Sequence, residues 1–535
     1  MEGLLQHLAI LPIVLPLLAG VLLVLFDDRT VKLYISVTAT VILLVVAVTL
    51  LVRTNEGAQH FSMYKLGDWP SPFGIVLVAD RLSALMVVLT SVLALTSLVY
   101  STALWHRAGQ HFHTLFQLLL MGLNGAFLTG DLFNLFVFFE VLLAASYGLA
   151  LHGSGNERVR AGLQYIAVNL ATSSLFLIGV SLIYGVTGTL NMADLAVRIP
   201  LVPDSSRMLL EAGAAILGVA FLVKAGMWPL SFWLPTTYAA ATPPVGAMFA
   251  IMSKVGVYVI LRLSLLLFGD GAASSAHFGS QWLIYGGMAT IAFGMVGVLA
   301  SQGLARMAGF SVLVSSGTLL VMIGYENARV TAGALYYLVS STLALSCLYL
   351  LVELVERGRN AAAGVLALTL EAFGDDEDPV HEEEIGIATP RTLAMLGMAF
   401  AACALVLAGM PPLSGFLAKF TMISALFNQD GLGAGGTISA GSWVVASLLV
   451  ISGLATTIAL VRSGINIFWV TFDGEVPRVR VVEMAPVLLL LGLCVLLTVL
   501  AGAAMTYMDA TAQYLHQPSE YVAGVLGPAV QGGKP

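Results

Sequence analysis

Apolar residues run along this chain in stretches of about 20, each long enough as a helix to cross a hydrocarbon core roughly 30 Å thick. Bounded by Gly, Pro and charge, they predict spans at 4–26, 31–52, 78–104, 111–130, 132–151, 160–184, 209–240, 243–268, 281–302, 304–324, 331–356, 389–428, 440–471 and 483–508. The pattern is that of an all-α polytopic membrane protein with about fourteen transmembrane helices. The twelfth stretch is too long for one straight span. Arg29 is the first basic residue, so the first stretch lacks the positive n-region of a secretory signal and is expected to stay as a spanning helix.

Composition agrees. Of 535 residues, 59% are hydrophobic and 10% charged, against about 25% charged in a soluble domain. The net charge of −7 comes largely from residues 371 to 384, EAFGDDEDPVHEEE, which hold eight acids. That segment is expected to be part of a solvated loop over 357–388 rather than a binding face, and no nucleic-acid partner is expected. Cys347, Cys403 and Cys494 are far apart and each lies in an apolar run. With no CxxC or HExxH spacing, neither a disulfide framework, a metal site nor a cofactor is indicated.

Lysine and arginine in the connections give an orientation, because cytoplasmic loops retain positive charge. Counted with the adjoining span ends, connections after odd-numbered spans hold 12 such residues, and those after even-numbered spans, with the tail, hold 8. The bias is modest and predicts both termini outside. The sum of 20 leaves three of the 23 basic residues, and these are Lys224, Lys254 and Lys419, each within a span.

Two of those lysines sit beside a repeated phrase. Residues 225–234 read AGMWPLSFWL and residues 408–417 read AGMPPLSGFL, identical at seven of ten positions with an offset of 183. Pro229 and Pro412, at matching places, are expected to break their helices, since proline removes a backbone donor and clashes with the preceding turn. Carbonyls freed in this way are tolerated at membrane depth only where they line a cavity. Paired interrupted helices in the two halves of a chain point to a transporter site near the midplane.

The candidate chemistry lies in four ionisable residues deep in apolar sequence: Glu140, Lys224, Lys254 and Lys419. A charge at the bilayer centre costs at least about 2.5–3.5 kcal/mol, so each requires a partner or water. Lys254 lies about eleven residues into its helix, roughly 16 Å from the near end at 1.5 Å per residue, too far for its side chain to reach the interface. Glu140 has no basic residue within two turns on its own helix, and Lys224 is the candidate counter-charge. One acid cannot neutralise three lysines pairwise, and a buried lysine readily gives up its proton. Thr242, followed by Pro243 and Pro244, is a suitable N-cap for the helix carrying Lys254. Between Lys254 and Lys419 the candidate relay is a set of hydroxyls, Ser311, Ser315, Ser316, Tyr337 and Ser341, although serine in membrane helices also serves as a small packing residue. The histidines fall in connections or near helix ends.

The stretches DLFNLFVFFEVLLAASYGL, KAGMWPLSFWLPTTYAAATPPVGAMFAIMSKVGVY and GMPPLSGFLAKF, in this order, resemble the antiporter-like subunits shared by respiratory complex I and the multisubunit Mrp sodium/proton antiporters. The phrase DLFNLFVFFE, the length and Lys419 are similar to the D-subunit branch. The resemblance implies three N-terminal helices (1–110), two inverted five-helix repeats (111–268 and 281–471) with the seventh and twelfth helices broken, and a last helix with tail (483–535). It implies that Glu140 and Lys224 form a coupling ion pair, that Lys254 is a central relay and that Lys419 is the far proton site. It also implies a bacterial plasma membrane, other subunits of a hetero-oligomeric complex as partners, and protons and sodium as the ions moved. Several relatives carry His or Lys in the tenth or eleventh helix, where this chain has YYLVSSTLALSCLY. A proton-pumping subunit of a quinone- or hydrogen-linked redox complex, and a membrane scaffold, are the competing functions.

Overall fold

The computed structural model describes residues 7–56, 61–373, 391–429, 438–468 and 479–527. Among these described residues, nineteen α-helices and one hairpin follow in chain order: α1 (Leu11–Leu25), α2 (Arg29–Glu56), β1 (Phe61–Lys65), β2 (Val76–Asp80), α3 (Arg81–Ser101), α4 (Phe112–Leu128), α5 (Leu132–Ala150), α6 (Asn156–Thr187), α7 (Met192–Arg198), α8 (Asp204–Ala225), α9 (Leu234–Ala240) and α10 (Pro243–Leu267). The second half continues with α11 (Ser280–Ala300), α12 (Leu304–Gly324), α13 (Ala328–Phe373), α14 (Arg391–Ala408), α15 (Ser414–Phe427), α16 (Ala440–Phe468), α17 (Val481–Val499), α18 (Ala501–Leu515) and α19 (Pro518–Leu526). Among the described residues, twelve helices are long and apolar enough to cross a membrane, and α1, α4 and α15 are shorter apolar helices.

Burial sorts these helices by depth in the bundle. The most apolar windows of α10, α12 and α13 are each 94% buried, whereas those of α2, α6 and α11 are 28%, 33% and 33% buried. The outer helices turn Val45, Leu163, Trp282 and Val296 outward, a surface that suits lipid and not water. The three central helices are apolar all round, as a helix enclosed on every side must be, and they carry or adjoin the polar residues predicted for the site.

Three features depart from the sequence expectation. First, the predicted loop over 357–388 begins late: α13 runs on to Phe373, because the stretch after Arg359 is rich in Ala and Leu, strong helix formers. Most of the acidic segment, from residue 374, lies outside the described residues. Second, the connection between α2 and α3 contains a hairpin, with β1 antiparallel to β2 in the register Phe61↔Asp80 to Lys65↔Val76. Asp80 ends β2 and caps α3, its Oδ1 accepting from the Ser83 amide at 2.9 Å while its own amide donates to Ser83 Oγ at 2.8 Å. Third, Arg262, which the orientation count assigns to a connection, lies inside α10 and is buried. Its guanidinium forks onto Asp80, with Nη1–Oδ2 2.5 Å and Nη2–Oδ1 2.9 Å. A buried arginine persists because the bidentate carboxylate replaces its water.

Candidate functional site

Both helix breaks are built the same way. Gly226 ends α8 at φ 76°, and Gly409 ends α14 at φ 74°. The amide of Met227 returns to the Leu222 carbonyl at 3.0 Å, and that of Met410 to Leu405 at 3.0 Å. Each is a left-handed glycine cap with the long return bond of a Schellman motif. The repeated AGM is therefore the stop signal of each helix, and Pro229 and Pro412 follow in the turn beyond it. The sequence repeat is a repeat of backbone conformation at these two points.

Each break brings a lysine ammonium or stem against a helix end. Lys224 occupies the last turn of α8, where the negative end of the helix dipole favours a cation. Lys419, on α15, donates to the Ala408 carbonyl at the end of α14, 3.0 Å away. That carbonyl is one of those the break releases, so the interruption supplies a ligand for an ammonium as well as space.

Glu140 and Lys224 face one small hollow of about 10 Å³, lined also by Phe139, Thr172, Ser173 and Phe221. They do not touch. Glu140 accepts a short hydrogen bond from Ser173, and Lys224 donates one to Asn169 Oδ1. The Lys224 ammonium also stands 5.9 Å from the Phe139 ring centroid. The expected contact pair is thus divided between two residues one turn apart on α6. Asn169 and Ser173 are not among the residues expected from the sequence, although an amide and a hydroxyl at i, i+4 in an apolar run are a readable signal.

Lys254 is fully buried at the middle of α10. Its ammonium donates to Ser315 Oγ at 2.8 Å and lies 3.4 Å from Ser316 Oγ. Ser315 in turn donates to Ser341 Oγ on α13 at 3.0 Å. Beyond them opens a cavity of about 20 Å³, lined by Ser311, Ser315, Tyr337, Ser341 and, on its far side, Lys419. That is room for one water. The candidate hydroxyls are therefore gathered between the two lysines, with Ser316 on the Lys254 side only. Ser340 joins them without having been expected: it lines the same cavity and hydrogen-bonds Ser414 at 2.8 Å. Thr242 stands at the N-cap of α10, as expected, but its hydroxyl is buried and makes no capping bond.

Among the described residues, no ion pair includes Glu140, Lys224, Lys254 or Lys419. All four are held by neutral oxygens instead. An ammonium so held keeps its charge by hydrogen bonding alone and can pass a proton without breaking a salt bridge.

The family profile of the transmembrane part of NADH:quinone oxidoreductase and Mrp antiporters matches residues 129–434, the stretch that holds all four ionisable groups and both breaks. The chain belongs to this family. It is 58% identical, over 98% of both chains, to a Rhizobium meliloti protein named as the D subunit of a probable K(+)/H(+) antiporter. It is 33% identical to the D subunit of the Na(+)/H(+) antiporter of Bacillus subtilis, over 97% of this chain and 99% of that one. In structure it resembles a chain of the Mrp complex from Dietzia sp. DQ12-45-1b, with a TM-score of 0.82, 26% identity and coverage of 98% and 99%. Within the family these likenesses put the chain on the Mrp D-subunit branch.

Proposed function

We propose that this chain is the proton-carrying subunit of a multisubunit cation/proton antiporter in the bacterial plasma membrane, a transporter rather than an enzyme. Protons move along Glu140, Lys224, Lys254 and Lys419, with Ser315, Ser341, Tyr337 and cavity water between the last two. The observation that carries this reading is the hydrogen-bonded line from Lys254 through Ser315 to Ser341, ending at a cavity that Lys419 borders. Chains of hydroxyls and water ending in a lysine of adjustable charge are what proton transfer across an apolar interior requires.

Asn169 and Ser173 give the Glu140–Lys224 pair two arrangements: apart, each on its α6 partner, or together across the hollow. Closing the pair draws the Lys224 charge toward Glu140 and away from Lys254, which eases protonation of Lys254. Opening it does the reverse, so charge in one half governs proton release in the other. The exchanged cation is sodium or potassium, the ions carried in the relatives' names, and the partners are the other subunits of the complex. The Lys and Arg distribution supports both termini on the outer side.

Lys224→Ala in the assembled complex, assayed for sodium- and potassium-dependent proton movement in inverted vesicles, tests the proposal. Antiport should vanish while the complex still purifies intact. Antiport at the wild-type rate would remove the reading.

A further inference from the structure

On the side of the ionisable groups toward the 151–155 and 241–242 connections, buried polar atoms collect without partners. The Tyr147 hydroxyl, Ser231 hydroxyl, Trp233 indole N–H, Thr242 hydroxyl and Tyr349 hydroxyl are all enclosed and make no hydrogen bond. They come from α5, the break between α8 and α9, the start of α10, and α13. Those on the helices are displaced the same way along them. Tyr147 lies about two turns beyond Glu140, Tyr349 about two turns beyond Ser341, and Thr242 about three turns before Lys254.

Their rings form a column. Tyr147 and Tyr165 have centroids 5.3 Å apart, Tyr165 stacks on Trp233 at 5.3 Å, Trp233 meets Tyr238 at 6.0 Å, and Tyr238 meets Tyr349 at 6.4 Å. Within it the Tyr165 hydroxyl is 2.8 Å from Ser146 Oγ, on the helix that carries Glu140. A tyrosine or tryptophan inside a protein usually finds a partner for its polar atom. One orphan would be unremarkable, but a buried polar group left unpaired costs more than its hydrogen bond would have gained, and three in one column, on Tyr147, Trp233 and Tyr349, require a common partner. Water is the partner that fits, being small and able both to donate and to accept. At the connection end, His152 Nε2 lies 2.8 Å from the Trp105 carbonyl. Burial, reinforced by the Arg158 charge and opposed by that carbonyl, holds the His152 imidazole below its ordinary pKa.

We propose that this column is a hydrated branch of the transport route, in which Tyr147, Tyr165 and Ser146 relay protons between water near Thr242 and Tyr349 and the Glu140 carboxylate. At each hydroxyl an arriving proton bonds to the oxygen as the group's own proton leaves for the next acceptor. No oxidation state changes and no other reactant is needed. The inference rests on the proton-carrying function proposed above.

The test has two arms on the assembled complex. Hydroxyl-radical footprinting, with radicals made from water in place, should oxidise Tyr147, Trp233 and Tyr349 several-fold faster than the dry, fully buried Phe116 and Phe127. Equal protection of both sets overturns the branch whether or not the complex exchanges ions, which separates its failure from failure of the proposed function. Tyr165→Phe, which keeps the ring and removes the hydroxyl, should slow antiport about tenfold with assembly unchanged, less than the about 10²–10⁴-fold of a sole proton carrier because Ser146 and water persist. An unchanged rate overturns the relay. If the variant fails to assemble, the footprint of the unaltered complex decides.

Discussion

Ser315→Ala is the sharpest probe of the line from Lys254 to Lys419. Ser315 Oγ accepts from the Lys254 ammonium at 2.8 Å and donates to Ser341 at 3.0 Å, so removing one atom cuts both links. A hydrogen bond to a charged group contributes about 1.5–3 kcal/mol. Lost from the step in which the proton leaves Lys254, that energy slows transfer about 10- to 150-fold. Ser316 is the internal control: its hydroxyl lies 3.4 Å from the same ammonium and does not border the cavity. Ser316→Ala should therefore change the rate less than about threefold, the effect of a few tenths of a kcal/mol. The assay is cation-driven proton efflux from inverted vesicles, normalised to assembled complex. Equal rates for Ser315→Ala and the unaltered protein, or equal losses at the two serines, would refute the assignment.

Three further outcomes follow from the geometry. Gly409→Ala forces φ 74° on a residue with a Cβ and sets that atom 2.6 Å from Lys419 Cδ. The backbone alone costs about 1–2 kcal/mol, and antiport should fall with the displaced lysine while a purified complex is still obtained. Asp80→Asn leaves the buried Arg262 without its counter-charge and should destabilise the chain by about 3–5 kcal/mol, read as a lowered melting temperature in detergent. Asn169→Leu removes the Lys224 hydrogen bond while leaving Glu140 in place, and should lower the antiport rate without preventing assembly.

The parts legible in the sequence are those where chemistry contradicts its surroundings. A lysine inside an apolar run is costly enough to announce itself, so Lys224, Lys254 and Lys419 can be named directly, and the repeated AGM with proline marks both breaks. Relations between helices are harder to read. Nothing local to Glu140 or Lys224 shows that Asn169 and Ser173 stand between them, because the controlling distances are set by packing of α5, α6 and α8. Asp80 and Arg262 pass as ordinary loop charges because each lies near a helix end, and only the fold brings them together across 182 positions. Helix ends blur where composition pulls the other way: the Ala- and Leu-rich run after Arg359 keeps α13 going where charge alone predicts a loop.

The Asp80–Arg262 fork has a consequence for how the protein can work. Lys254 sits about two turns from Arg262 on the same enclosed helix, so the fork fixes the height of that ammonium like a nail through one end of a beam. Rocking the helix to expose first one side of the membrane and then the other would mean pulling that nail on every cycle. On the proposed proton route, cargo is instead handed along a stationary frame, and an agent that blocks it would do so by drying or plugging its wet gaps.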